Sequence, residues 1–202
     1  MRRDDEKSTF GQAGRAILAL ALALSGINLA TAQISITPVN DATTLANELV
    51  GTGSSITISN ATLTGGEGAA GTFTDGEFGF DSGILLTTGL ATYAAGPNST
   101  GSQSYSHYLP GDDDLTALSG FDTYDACVLE FDFVPLGTSV TFSYVFGSEE
   151  YNEYVCSNFN DVFAFFVDGP GYDNVNMALI PGTDLSVGIN TVNNGTIGIY
   201  GN

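Results

Sequence analysis

The sequence predicts an all-β fold, an antiparallel β-sandwich of jelly-roll type with one short N-terminal helix. Three observations predict it. Thr, Val, Ile and Phe recur in short alternating runs, the period of a strand with one covered face. Turns rich in glycine, of which the chain has 26, separate those runs at short intervals. Only one stretch places apolar residues at helical spacing. Many short strands joined by such turns pack as a sandwich or roll.

The first 32 residues read as an export signal. Arg2, Arg3, Lys7 and Arg15 give a positive start, diluted by Asp4, Asp5 and Glu6. Ala16–Leu24 is apolar but falls short of the roughly 20 residues that span a bilayer. Ala30-Thr31-Ala32 offers small residues at signal-peptidase spacing, so cleavage is expected before Gln33. The alternative is an N-terminal anchor that stays attached. Residues 33–202 then form a single domain, with no segment apolar enough for membrane insertion.

Ile34-Ser35-Ile36 reads as a first strand closed by Pro38. Asp41 then caps a helix whose Leu45, Ala46, Leu49 and Val50 lie on one face, and Gly51 ends it. Ser54–Thr62 alternates as a strand, with Ile56 and Ile58 on one side. Thr72–Thr74 and Gly83–Thr88 are shorter strands. Residues 94–111 are a long polar loop, of a length that is usually functional or mobile. Cys127–Val134 alternates strongly, with Leu129, Phe131 and Phe133 on one face. After the turn Pro135–Thr138, Val140, Phe142, Tyr144 and Phe146 alternate again, so the two runs are expected to pair as a hairpin. Asp161–Val167 is apolar on both faces, like a central strand, and Asn176–Ile180 and Leu185–Val192 are further candidates.

All 4 Lys and Arg lie in residues 1–32, with three of the 23 acids; 20 carboxylates and the single His107 remain in 33–202. Such a surface repels nucleic acid, which is bound by neutralising phosphates with Lys and Arg. It also repels anionic membranes and lacks the cations that clamp a transferring phosphoryl group. The carboxylates are left to water and salt, to backbone N–H donors, or to cations. Ca2+ fits best, because it takes six to eight oxygen ligands.

Two loops gather the acids. Glu149, Glu150, Asn160 and Asp161 lie in Gly147–Asp161, between two apolar runs, and Asp112, Asp113 and Asp114 form a second knot upstream. Together these seven are the candidate ligands of one Ca2+ ion, although the EF-hand spacing is absent. The bland alternative is a loop held by carboxylate-to-backbone hydrogen bonds. A carboxylate pair serving sugar hydrolysis is a third reading; adjacent Glu149 and Glu150 point to opposite sides of an extended chain, which leaves Glu149 with Asp161 or with one of Asp112, Asp113 and Asp114 as the pair. His107 has no nucleophile motif beside it and reads as a solvated loop residue.

The exported setting makes a Cys127–Cys156 disulfide reasonable; two free thiols, or partners beyond Asn202, are the alternatives. Asn60, Asn98 and Asn194 begin glycosylation sequons of low weight. Tyr105, Tyr108, Tyr124, Tyr151, Tyr154 and Tyr172 flank loops. There they pack or, if exposed, stack on an extracellular glycan or a surface protein.

The strings VLEFDFVP at Val128, FSYVFGSEEYNEYVCSNFNDVFAFFVDGPG at Phe142 and NMALIPGTDLSVGINTVN at Asn176 resemble the choice-of-anchor L domain of bacterial exported proteins. GILLTTG at Gly83 and the DDDL at Asp112 resemble its front half. The resemblance implies a secreted or cell-surface module in adhesion or matrix association, with no catalytic activity to carry over. It places Glu149, Glu150 and Asp161 in the family's motif. Family domains run past the position of Asn202 and carry interchangeable sorting tails, so the domain is expected to be C-terminally incomplete here.

Overall fold

The computed structural model describes residues 34–201 apart from 52, 53, 55, 77, 98, 99, 101 and 102. The expected export signal and the sequon at Asn98 lie outside the described residues. Among those residues, the alternating runs become short strands: β1 (Ser35–Pro38), then α1 (Ala42–Val50), β2 (Ile56–Thr64), β3 (Ala70–Thr74) and β4 (Ser82–Leu86). A 3-10 turn at Ala91–Ala95 leads towards α2 (Asp113–Ser119). There follow β5 (Val128–Pro135), β6 (Val162–Phe163), β7 (Phe166–Gly169), β8 (Tyr172–Asn176) and β9 (Val187–Gly188).

Helix α1 forms where its sequence says it should. The Asp41 carboxylate accepts from the Thr44 N–H at 2.7 Å and from the Thr44 hydroxyl, satisfying a first-turn donor that the helix cannot. These bonds, the hydroxyl's first, hold the Asp41 carboxyl below its ordinary value. Gly51, at φ 72°, closes the other end by donating to the Asn47 and Glu48 carbonyls. Leu45 and Ala46 are fully buried, and the helix packs on β2.

Strands β1, β3 and β4 make one antiparallel sheet in the order β1-β3-β4. Strand β5 shows the expected alternation: Leu129, Phe131 and Phe133 are half-buried while Glu130, Asp132 and Val134 face water. Its partner is not the expected one. β5 pairs with β2, from Ile56 opposite Pro135 to Thr64 opposite Val128. The register slips between Ser59 and Thr62, where Asn60 takes a positive φ of 51° and its amide reaches Asp132 at 2.6 Å.

Residues 140–146 therefore form no hairpin with β5, and none of them lies in a ladder. Their rings bind elsewhere. Phe142 stacks on Phe165 at 4.0 Å between centroids, and Tyr144 on Phe163 at 4.9 Å. The partners step in opposite directions, so the segment runs antiparallel to 163–165 through side chains alone. Alternation specifies which face is apolar but not which strand lies next to it.

The apolar run 161–167 is broken as well. The Asn176 side chain takes the Phe165 N–H at 3.1 Å, and the halves part to different neighbours. β6 pairs with β9, and β7 pairs with β8 across Pro170-Gly171. Among the described residues the strands make one three-stranded and three two-stranded antiparallel sheets. The all-β class holds, and the described strands lie in small, unclosed sheets. The single helix also becomes two, since α2 follows the acidic knot. No described helix is long and apolar enough to cross a membrane.

Truncating Leu45 to Ala empties the most enclosed site under α1. Urea unfolding should show a loss of about 2–5 kcal/mol; a loss below about 1 kcal/mol contradicts a packed α1.

Candidate functional site

The upstream knot is a helix start. Asp112 is the N-cap of α2, and its Oδ1 accepts from the Leu115 N–H at 3.0 Å. Asp113 and Asp114 occupy the first turn, where the positive end of the helix dipole favours them. Asp114 also accepts from the Asn174 amide at 3.0 Å, which ties the β7–β8 hairpin to the helix. Thr123 folds back over the cap: it donates to the Asp112 carbonyl and accepts from the Asp112 N–H, both at 3.1 Å. At the far end Gly120, in the left-handed region at φ 75°, donates to Thr116.

Asn160 lies at that far end. Its amide donates to the Ser119 carbonyl at 3.2 Å, and its Oδ1 accepts from the Asn190 N–H at 3.0 Å. Asn190 in turn donates to Ser157 and accepts from the Cys156 N–H. Two asparagine amides thus staple the loop 147–161 to α2 and to the turn after β9. The seven helical residues of α2 put Asn160 about 10 Å along the axis from the Asp112 cap. Ca2+ holds its oxygens within about 2.6 Å. Asn160 and the Asp112 cap therefore do not ligate one ion together. Among the described residues no group of three or more His, Cys, Asp or Glu side chains is arranged to hold a metal ion.

Within the loop, Asp161 accepts from the Ser148 hydroxyl at 2.6 Å, and the Glu150 N–H donates to that same hydroxyl at 3.0 Å. Burial, then the charges of Asp161 and Glu149, push the Glu150 carboxyl above its ordinary value. Three carboxylates repel one another here with no Lys or Arg to offset them. Burial and the Asp161 charge also raise the phenol of Tyr151, which donates to the Val192 carbonyl. The shallow pocket beside Asn160 has Asp184 as its one acidic lining residue, so it offers no carboxylate pair.

The expected Cys127–Cys156 bridge is not made. Both are free thiols: Cys127 packs against Gly65 and donates to the Ala69 carbonyl, while Cys156 is exposed. Burial raises the Cys127 thiol above its ordinary value.

The most organised carboxylate is one the sequence did not single out. Asp125 is 7 % exposed. It accepts from the Ser106 hydroxyl at 2.9 Å, the His107 N–H at 3.1 Å and the Leu109 N–H at 2.7 Å. Its own N–H donates to the Leu109 carbonyl, and an isolated bridge pairs Pro110 with Tyr124. Burial pushes the Asp125 carboxyl up. The bonds from Leu109, Ser106 and His107, with the His107 charge, outweigh it and hold the group below the usual aspartate range. His107 is not the solvated residue expected. Its ring lies against Gly66, where any Cβ would strike it, stacks edge-on with Tyr105 at 5.0 Å, and places Nε2 2.9 Å from the Gly89 carbonyl. Ser106, His107 and Asp125 are neighbours, yet the Ser106 hydroxyl is spent on Asp125 and the ring on Gly89. That arrangement builds a turn and does not activate a nucleophile. The turn forces Tyr108 to φ 59°, a left-handed conformation that costs a bulky residue about 1–2 kcal/mol.

Because the folded value of Asp125 is depressed, its contribution to stability is complete above the ordinary aspartate pKa of about 3.9 and is lost as pH falls through the folded value. Asp125→Asn should cost about 2 kcal/mol in urea unfolding at pH 7. The gap to the parent should narrow below pH 4; a gap unchanged with pH contradicts the role of the charge.

The model of the choice-of-anchor L domain matches residues 33–201. No curated protein matches the chain. No solved structure matches it. The match takes in α1, the Asp125 turn, α2 and the acidic loop together. The chain belongs to the choice-of-anchor L domain family.

Proposed function

We propose that this chain is an exported, non-enzymatic module of the bacterial cell surface or extracellular matrix, serving adhesion or matrix association. The observation that carries the reading is the family match over residues 33–201. The local chemistry supports the second half of it. The Ser, His and Asp of the Asp125 turn are committed to structure, and the pocket beside the acidic loop has no paired carboxylates. A secreted carbohydrate-active enzyme, the competing reading, needs such a pair. The N-terminal segment supports export: a secreted product whose first residue is Gln33 fits the reading, and a cytoplasmic product retaining residues 1–32 contradicts it.

Ca2+ enters this proposal as a stabiliser of the acidic loop. The supporting observation is the mutual repulsion at Glu150, Glu149 and Asp161. An ion there would draw those side chains inward and replace repulsion with shared coordination. Asp112, Asp113 and Asp114 are not included, because the α2 cap uses them.

The raised folded pKa of Glu150 means that its charge costs stability at neutral pH. That cost disappears as pH falls through the raised value towards the ordinary glutamate pKa of about 4.3. Glu150 is partly exposed, so screening keeps the effect to about 0.5 kcal/mol. In EDTA, Glu150→Gln should be slightly more stable than the parent at pH 7 and equal to it near pH 4. Millimolar Ca2+ should raise the melting temperature of the parent and leave that of Glu150→Gln unmoved. A parent that ignores Ca2+ refutes the metal.

A further inference from the structure

Asp125 fixes Ser106, His107 and Leu109, the residues on both sides of Tyr108, yet the Tyr108 ring is 93 % exposed. The backbone there is strained at φ 59°, and the ring gains no packing in return. A large aromatic side chain that this turn holds out in water does nothing itself for folding, and strain retained in this way is where binding surfaces occur. Tyr124, on the segment paired with this turn through Pro110, is 68 % exposed. Leu109 and Phe121 are partly exposed beside them. Acids lie close by along the chain. Asp122 is exposed next to Thr123, which closes on Asp112, and the exposed Asp113 follows.

We infer that Tyr108 and Tyr124 form a docking surface for a basic, extended segment of a partner protein, its Arg or Lys side chains lying on the rings and facing Asp113 and Asp122. The negative face of an aromatic ring attracts a cation within about 6 Å of its centre, and flanking carboxylates add to that attraction. Arg suits the surface better than Lys, because its planar guanidinium stacks on a ring while its N–H groups reach a carboxylate. Charge complementarity selects this occupant. Residues 33–202 hold 20 carboxylates and no Lys or Arg, so a second copy of the chain is repelled. A neutral glycan could stack on the rings but would draw nothing from the net charge.

The inference deepens the surface-module reading and rests on it only for where the partner is met. Its test uses the purified chain in EDTA, so neither export nor Ca2+ affects the outcome. A short Gly/Ser peptide carrying several Arg residues is titrated at fixed salt, beside the same peptide with citrulline in place of Arg. The Arg peptide should bind, and the citrulline peptide should not. Tyr108→Leu and Tyr124→Leu should each weaken binding by about threefold to tenfold at unchanged charge, while Tyr108→Phe keeps it within about twofold. The melting temperature of Tyr108→Leu should equal that of the parent. The proposal is overturned if Tyr108→Leu binds like the parent, if citrulline substitutes for Arg, or if Tyr108→Phe loses as much as Tyr108→Leu. Displacement of the peptide by cellohexaose would make the surface a glycan site, and a melting temperature lowered by Tyr108→Leu would make the ring a packing residue; either overturns the proposal too.

Discussion

Residues 33–202 carry 20 carboxylates and no Lys or Arg. That constraint reaches most of the local architecture. In many proteins a buried or crowded acid is offset by a cation. In this one, the donors have to be backbone N–H groups, hydroxyls and asparagine amides. Asp41 and Asp112 each take one first-turn N–H of a helix, so α1 and α2 both begin on a carboxylate. Asp125 takes two N–H groups and a hydroxyl, and a 20-residue excursion of chain closes around it. Asp132 and Asp114 take asparagine amides from distant strands. Where such donors run short, at Glu150, repulsion is left over.

The two ends of this range have different consequences. A carboxylate that finds several donors becomes a rigid point, and Asp125 is rigid enough to impose an unfavourable φ on Tyr108. A carboxylate that finds other carboxylates is left with repulsion. The fold thus turns one compositional fact into structural anchors and into points of leftover repulsion.

Much of the fold was legible in the sequence, for identifiable reasons. Helix α1 was readable because cap, apolar face and terminal glycine all agree within eleven residues. The face of β5 was readable because alternation encodes it. Its neighbour was not, because β2 lies far upstream and nothing local distinguishes it from the tempting run at 140–146. Helix α2 was missed at a place where the signal existed. Asp112 as cap, Asp113 and Asp114 in the first turn and Gly120 after the last make a helix signature, but three acids in a row drew the reading towards metal ligands. The structure places Asp112 on the cap of α2 and Asp113 and Asp114 in its first turn. Asp125 had no local signal at all, since its donors come from a turn 16 to 19 residues upstream.

The central claim is that hydrogen-bond donors, with no Lys or Arg partner among the described residues, carry these carboxylates and that repulsion remains. Salt distinguishes this from ordinary charge balance, because screening weakens attraction and repulsion alike. The most direct measurement is the free energy of urea unfolding in EDTA at pH 7 as NaCl rises from about 10 mM to about 0.5 M. With repulsion the larger part of what salt screens, stability should climb steadily across that range. Stability that falls with salt would mean that attractive charge pairs hold the fold together, and would contradict the account.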